Sequence, residues 1–401
     1  MPDPYYDPNE NPPGPDEPPW RRPEPVPVPD LRPRDPERPE PENEAAAASW
    51  SPAPAPASAP APASASAGLD GHLQPGMIPR PPNSVPGAST DRLRIGLWGA
   101  PLSGKTTYLS AVPIAAMQQS RHGHAGWAVS GMNPQSTEFL TSGVTQLESD
   151  RVFPEASVGQ QHLAWSFQGE EPPSGVLRRR REVGFVLEVQ DVAGEAYGKN
   201  SEHALRPRVL DQLARSQGLV YLFDPLLGSR PATRGLDFFY SMLTELNTRV
   251  RDEGKLHRNR LPHHVSVCVT KFDHPEVFRP AVEAGWVTQD SEGSRLPRVP
   301  AEQAARYFEW MCDEFQGSSA RLVRDGLGSF FRPERISYYV SSAIGFRLNP
   351  QHVFDYRNYH NVEIVDGVSR ICTSPVPINV LEPLTDLERR IRSTSHRRRP
   401  W

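Results

Sequence analysis

The sequence predicts an α/β fold, a mainly parallel sheet flanked by helices, preceded by a disordered Pro/Ala-rich arm. Three observations carry this. Composition changes abruptly near residue 90. Beyond that point short apolar runs alternate with longer amphipathic stretches, the rhythm of βα units. The first of those runs leads through a glycine-bearing turn into a helical stretch, as a strand feeding a helix should.

The arm, residues 1–90, holds 26 of the 46 prolines and few aliphatic side chains. It cannot bury enough apolar surface to offset the entropy of ordering its backbone. Its first 44 residues carry twelve Asp or Glu (Asp3, Asp7 and Glu10 among them) against five Arg. An acidic, proline-rich arm of this kind is a solvated spacer or a docking tail. The other end is basic, His396-Arg397-Arg398-Arg399, and residues 394–401 form a tail able to touch an anionic membrane surface peripherally. Nucleic acid is not an expected partner.

The elements follow in order. Leu93, Ile95 and Leu97 alternate before Gly99, giving a first strand. Residues 104–119 read as a helix that Pro113 should kink or loosen. Residues 161–168 and 183–190 read as two strands joined by a polar loop holding Arg178 to Arg181. A helical stretch near 201–215 precedes a strand at Gly218–Phe223, a helix near 233–253 and a strand at Val265–Thr270. One added helix is expected around 301–325, then a strand at Ile336–Val340 and a closing helix over 380–393. The folded part is thus one domain over 91–393, with insertions at about 121–160 and 275–330.

Three cysteines, Cys268, Cys312 and Cys372, show no CxxC spacing, so neither a disulfide framework nor a zinc site is expected. No apolar run follows a basic region at the N-terminus, and no window approaches 18 apolar residues. Cytoplasm is the expected location. Basic usage is skewed, with four lysines (Lys105, Lys199, Lys255, Lys271) against 40 arginines. That skew points to a high-GC, bacterial genome and makes each lysine informative.

Two of those lysines fall on motif positions. Gly99-Ala100-Pro101-Leu102-Ser103-Gly104-Lys105-Thr106 matches GxxxxGK[ST] between a strand and a helix. Glycines let the loop curl so that main-chain N–H groups face phosphate oxygens, and the helix N-terminus, with Thr107 in its first turn, adds partial positive charge. Lys105 would reach the β- and γ-phosphates and act in catalysis, and the Thr106 hydroxyl would sit on Mg²⁺. The run Phe185 to Gln190 leads into Asp191-Val192-Ala193-Gly194, a DxxG arrangement in which Asp191 holds Mg²⁺ and the Gly194 N–H meets the γ-phosphate. The strand to Val269 leads into Thr270-Lys271-Phe272-Asp273. Here Asp273 would accept two hydrogen bonds from guanine while the Lys271 stem lies along the ring. Adenine lacks that donor pair, so the site expects GTP or GDP rather than ATP. Ser341-Ser342-Ala343 follows the last strand, where Ser342 and Ala343 would offer main-chain groups to the guanine carbonyl.

With these elements the chain resembles the TRAFAC-class, Ras-like P-loop GTPases over about residues 91–393. Phrases such as Leu97-Trp98-Gly99-Ala100, Leu222-Phe223-Asp224-Pro225, Leu261-Pro262-His263-His264 and Asn379-Val380-Leu381-Glu382-Pro383 resemble actinobacterial "TRAFAC clade GTPase domain" proteins. The resemblance implies GTP hydrolysis to GDP as a molecular switch, with a protein effector or activator that the sequence does not name.

Two positions depart from the pattern. The residue after DxxG, usually a water-orienting Gln, is Glu195, whose carboxylate adds negative charge beside a triphosphate and predicts slow intrinsic hydrolysis. About 40 residues separate the first helix from the next strand, and Ser157 is the candidate for the Mg²⁺-binding hydroxyl there, with Thr137, Thr141 and Thr145 as alternatives. An arginine of the 178–181 cluster could act as a finger in cis. The competing reading is a hydrolysis-deficient nucleotide-binding scaffold that recruits partners through its arm.

Overall fold

The computed structural model describes residues 92–121, 126–155, 160–171, 181–192, 206–226, 233–315 and 317–397. Eleven strands and eight α-helices are described within them. β1 (Leu93–Gly99), α1 (Lys105–Arg121), β2 (Ala128–Gly131) and α2 (Pro134–Val144) come first. Next are β3 (Gln160–Glu171), β4 (Arg181–Val192), α3 (Arg206–Arg215), β5 (Gly218–Phe223), α4 (Thr233–Asp252) and β6 (His264–Val269). Then follow α5 (Pro275–Glu283), β7 (Thr288–Gln289), β8 (Pro297–Arg298), α6 (Ala304–Trp310), α7 (Gly317–Phe330) and β9 (Ile336–Val340). β10 (Val362–Val365), β11 (Val368–Ile371) and α8 (Glu382–Arg397) complete the chain.

Seven strands form one sheet in the order β2-β3-β4-β1-β5-β6-β9. Strands β4, β1, β5, β6 and β9 run parallel, while β3 is antiparallel to β4 and β2 to β3. The fold class is therefore the α/β one expected. Every residue of β5 and β6 is buried, as both faces of a parallel sheet are covered by helices. The pleat sends side chains into two cores. On one face Leu219, Tyr221, Val265 and Val267 meet Leu213, Phe239 and Leu327 from helices α3, α4 and α7. On the other Ile95, Leu97, Val220 and Cys268 meet Tyr108, Val112, Leu384 and Leu387 from α1 and α8. Burying a side chain of the Leu or Phe class is worth about 1.5–3 kcal/mol, so these cores fix the strand ends and the loops they carry.

Helix α1 continues through Pro113, its buried face, Leu109 to Ala116 in part, packed against the sheet where the proline removes one hydrogen bond. Two local expectations need correcting. The single helix expected over 301–325 is α6, a π-helical turn at Met311–Phe315, and α7. Arg181 is the first residue of β4, opposite Glu171, rather than part of a loop; positions 172–180, with the rest of the arginine cluster, lie outside the described residues. The stretch near 121–160 supplies the edge strand β2 and helix α2, which packs on α1 through the contact of Gly143 with Ser110. No described helix is long and apolar enough to cross a membrane.

Candidate functional site

Because β1, β4, β5, β6 and β9 are parallel, the loops after them emerge at one edge of the sheet, where open α/β sheets hold ligands. The loops after β1, β6 and β9, and the first residues after β5, are described, and they interlock.

The turn after β1 is shaped by two backbone requirements. Gly104 sits at φ 85°, a left-handed conformation that disfavours a side chain. Gly99 has no room for one, since a Cβ would crowd the Ser103 hydroxyl and the Leu222 carbonyl. Between them Ser103 N–H donates to the Ala100 carbonyl at 3.1 Å, and Leu102 also adopts positive φ, 66°. The loop thereby curls over the start of α1, whose first turn (Lys105, Thr106, Thr107) contains no acid. Unpaired main-chain donors at a helix N-terminus attract anions. The Lys105 amine folds back over the loop and donates to the carbonyls of Gly99 at 3.0 Å and Ala100 at 2.9 Å. Ala100 and Ser103 are buried, Pro101 is half-buried, and Leu102 is 67% exposed.

The turn after β6 is tied to that loop. Thr270 Oγ1 donates to the Phe223 carbonyl at 3.1 Å and the Ser103 carbonyl at 3.3 Å. Lys271, at φ 59°, places its amine 2.7 Å from Asp224 Oδ2 and 3.3 Å from the Leu102 carbonyl. Phe272 points the other way, fully buried among Phe278, Tyr307 and Phe346, and so anchors the turn in the core. Asp273 follows, 7% exposed.

The turn after β9 packs against Asp273. Ser342 Oγ donates to Asp273 Oδ1 at 2.5 Å and accepts the Gly345 N–H at 2.8 Å. Main-chain bonds between Ser342 and Ile378 and the Asn379 amide on the Val340 carbonyl fix this turn from behind. Ala343 is half-buried beside it. Burial pushes the Asp273 carboxyl above its ordinary value, opposed by the Ser342 hydrogen bond that favours the charged form. A buried carboxylate with free acceptor capacity is suited to a ligand carrying adjacent N–H donors.

The structure thus brings together Gly99 to Thr107, Thr270, Lys271, Asp273, Ser342 and Ala343. Asp191 lies in β4, opposite Gln161, at the end of that strand; its side chain is outside the description. Ser157, Gly194 and Glu195 lie outside the described residues. The alternatives Thr137, Thr141 and Thr145 lie on or at the end of α2, each hydroxyl donating to the carbonyl four residues earlier at 3.2, 3.1 and 3.0 Å. Sequence reasoning missed Asp224 and Gly345. An acid closing an otherwise apolar strand was a visible signal for Asp224.

For a magnesium ion the oxygen donors are of the right kind, the Thr106 hydroxyl at the start of α1 and the Asp191 carboxylate. Among the described residues no group of three or more His, Cys, Asp or Glu could cage a metal.

No family model and no curated protein matches the chain. Among solved structures, the chain is similar to Sup35 complexed with GDP at 11% identity and a TM-score of 0.25, covering 65% of this chain and 40% of that one. It is also similar to the signal recognition particle receptor SRb-GTP/SRX complex from Chaetomium thermophilum, at 16% identity and a TM-score of 0.31, covering 64% and 93%. A third is nucleolar GTP-binding protein 1 from Plasmodium falciparum, at 11% identity and a TM-score of 0.26, covering 65% and 81%. The chain spans about two fifths of the Sup35 chain. At these scores the likenesses carry no functional weight, and the loops themselves must.

Proposed function

We propose that this protein binds GTP and GDP with Mg²⁺ at the loop edge of its sheet and hydrolyses GTP to GDP as a molecular switch, slowly in the absence of a partner. One observation carries the reading. A buried carboxylate, Asp273, stands two residues from a lysine whose amine reaches the carbonyl of the phosphate loop, so base recognition and phosphate binding share one turn.

The base pocket would take guanine because Asp273 Oδ atoms accept from N1–H and the exocyclic amine. Adenine presents no such pair and would leave the carboxylate unsatisfied, at a cost of roughly 1–3 kcal/mol or more for a charged group. Main-chain N–H groups of Leu102, Gly104, Lys105 and the start of α1 would surround the phosphates. The Lys105 amine would exchange the Gly99 and Ala100 carbonyls for the β- and γ-phosphate oxygens, offsetting charge as it develops on the γ-phosphoryl during in-line attack by water. Magnesium would be held by Thr106 and Asp191, with Ser157 added in the triphosphate state, and would supply neutralisation of the phosphate charge. The Gly194 N–H would meet the γ-phosphate. Glu195 would accept a hydrogen bond from the water but adds a negative charge beside the triphosphate, which supports slow turnover.

Calorimetry with magnesium tests the binding claim. GTP and GDP should bind to the wild type, ATP should not compete, and Asp273→Ala should erase the difference between the two bases. Absence of heat from both guanine nucleotides would reject the proposal. Guanine binding needs the ionised carboxylate, so it should weaken as pH falls through the raised Asp273 pKa. Single-turnover hydrolysis tests the rate, and a fast isolated chain would remove Glu195 as the limiting feature. No turnover even with partners present would favour the scaffold reading, in which the nucleotide only sets which surface the arm and tail present to an effector.

A further inference from the structure

The strand β5 ends on an acid. Asp224 follows six buried residues, and its side chain is 1% exposed. A carboxylate removed from water must have its oxygens bonded and its charge matched. One oxygen accepts the Leu226 N–H at 2.9 Å, which closes the turn after β5 and is all that a local capping role requires. The second accepts from the Lys271 amine at 2.7 Å. That amine also reaches the Leu102 carbonyl at 3.3 Å. Lys271 and Leu102 both adopt positive φ, 59° and 66°, which residues bearing a Cβ rarely do unless their surroundings hold them there. One ammonium group therefore ties together the turns after β1, β5 and β6, and it does so over 47 residues of sequence on the Asp224 side and 169 on the Leu102 side.

We infer that Asp224 is a positioning residue for the nucleotide site: by gripping the Lys271 amine it holds the strained Thr270–Asp273 turn against the phosphate loop. The binding consequence rests on the guanine-nucleotide reading above, whereas the tether is a property of the chain alone. Without the grip the Lys271 stem loses its fixed line along the base, and Asp273 loses the turn geometry that aims it. The ligand chemistry is unchanged; what changes is how long it stays.

Asp224→Asn is the informative variant, since it preserves size and the acceptor for Leu226 N–H but removes the charge facing Lys271. The full-length protein has four lysines, so amine labelling resolved by mass spectrometry reads Lys271 directly, with the exposed Lys255 as reference. Loss of one charge-assisted hydrogen bond should raise Lys271 labelling about tenfold and speed release of fluorescent GDP and GTP by about the same factor. In a Lys271→Met background Asp224→Asn should have no further effect on release. Unchanged Lys271 labelling overturns the tether, and so do effects of the two substitutions that multiply, because Asp224 would then act elsewhere. If the wild type holds no guanine nucleotide, the functional reading fails while the labelling comparison still decides the tether. Should Asp224→Asn not fold, Asp224→Glu keeps the charge and should keep Lys271 protected; a freely labelled amine there overturns the inference.

Discussion

The two halves of the sheet are built by different rules. From β1 through β5 and β6 to β9 every strand is parallel, and β5 and β6 are buried throughout. Their loops carry the residues proposed to hold phosphate and base, and Lys105, Thr270, Lys271, Phe272, Asp273 and Ser342 each have a hydrogen-bond or packing partner there. From β4 outward through β3 to β2 the neighbours are antiparallel, and edge strand β2 is half-exposed along its length. Of the residues expected to act on the γ-phosphate, Asp191 lies in β4, while Gly194, Glu195 and Ser157 lie outside the described residues. On the proposed function, recognition of base and phosphate is built into the loops of the parallel strands, while the residues proposed for hydrolysis flank β3 and β4 in the sequence, where the sheet turns antiparallel.

If that division is right, substitutions in the loops of the parallel half should change affinity, and packing substitutions in the antiparallel wing away from Asp191, Gly194, Glu195 and Ser157 should change stability alone. The largest expected effect is on Lys105. Lys105→Met removes the cation that would meet two phosphates, and two charged hydrogen bonds at about 2 kcal/mol each make a loss of about 4 kcal/mol, roughly a thousandfold in Kd. Calorimetry with Mg·GTP checks this; a loss below about tenfold would mean that the curled main chain alone carries the phosphates.

His263 probes the opposite end of the parallel half. It is buried just before β6, and burial pushes its imidazole down to about 4, against the carbonyls of Leu213 and Ala214 that favour the charged form. The folded protein keeps it neutral while the unfolded chain takes up a proton below its ordinary value of 6.5. Stability from this group is therefore complete above about pH 6.5 and falls as pH drops toward 4, by about 3 kcal/mol across the window. Urea unfolding at a series of pH values should show that slope in the wild type and lose it in His263→Gln. An unchanged slope would place the titration elsewhere.

In the wing, Gly143→Ala forces a methyl onto Ser110 at the contact between α1 and α2. Overpacking of this sort costs about 1–3 kcal/mol. Thermal unfolding should show the loss, while the guanine-nucleotide Kd measured below the transition stays within about twofold, as expected for sites with no shared partners. A large change in Kd would break the division of labour, because α1 also begins the phosphate loop.

Legibility in the sequence followed the same division. The strands Gly218–Phe223 and Ile336–Val340 are readable to the residue, the first because a strand covered on both faces is a continuous apolar run. The turn after β1 is readable because its conformation demands glycine at positions 99 and 104. By contrast β2 is four residues, Ala128–Gly131, half-exposed and too short to show a period. Two cues went unread: Asn133 with Pro134 caps α2, its side chain accepting the Ser136 N–H at 2.7 Å, and Asp366-Gly367 at positive φ turns the β10–β11 hairpin. The Asp224–Lys271 pair was not legible at all, since residues 47 apart meet only once β5 and β6 are aligned.

Thr270 gives the smallest and sharpest test, because it is the hydroxyl that joins the two ligand-binding turns. Its main-chain N–H already donates to the Phe223 carbonyl at 2.9 Å, so the Oγ1 bond to that same carbonyl is redundant for holding β6 to β5. The bond to the Ser103 carbonyl is not redundant, since it is the tie from this side chain to the phosphate loop. Thr270→Val keeps the shape and removes the hydroxyl, at a cost of about 1 kcal/mol. Were the hydroxyl only a packing element, that loss would appear in unfolding and leave the nucleotide alone. A hydroxyl that aligns loop with base pocket should instead weaken GTP and GDP equally, by about fivefold, with little change in melting temperature of the nucleotide-free protein. Equal affinities for wild type and Thr270→Val would show that the Lys271 amine on the Leu102 carbonyl holds the two turns together without help.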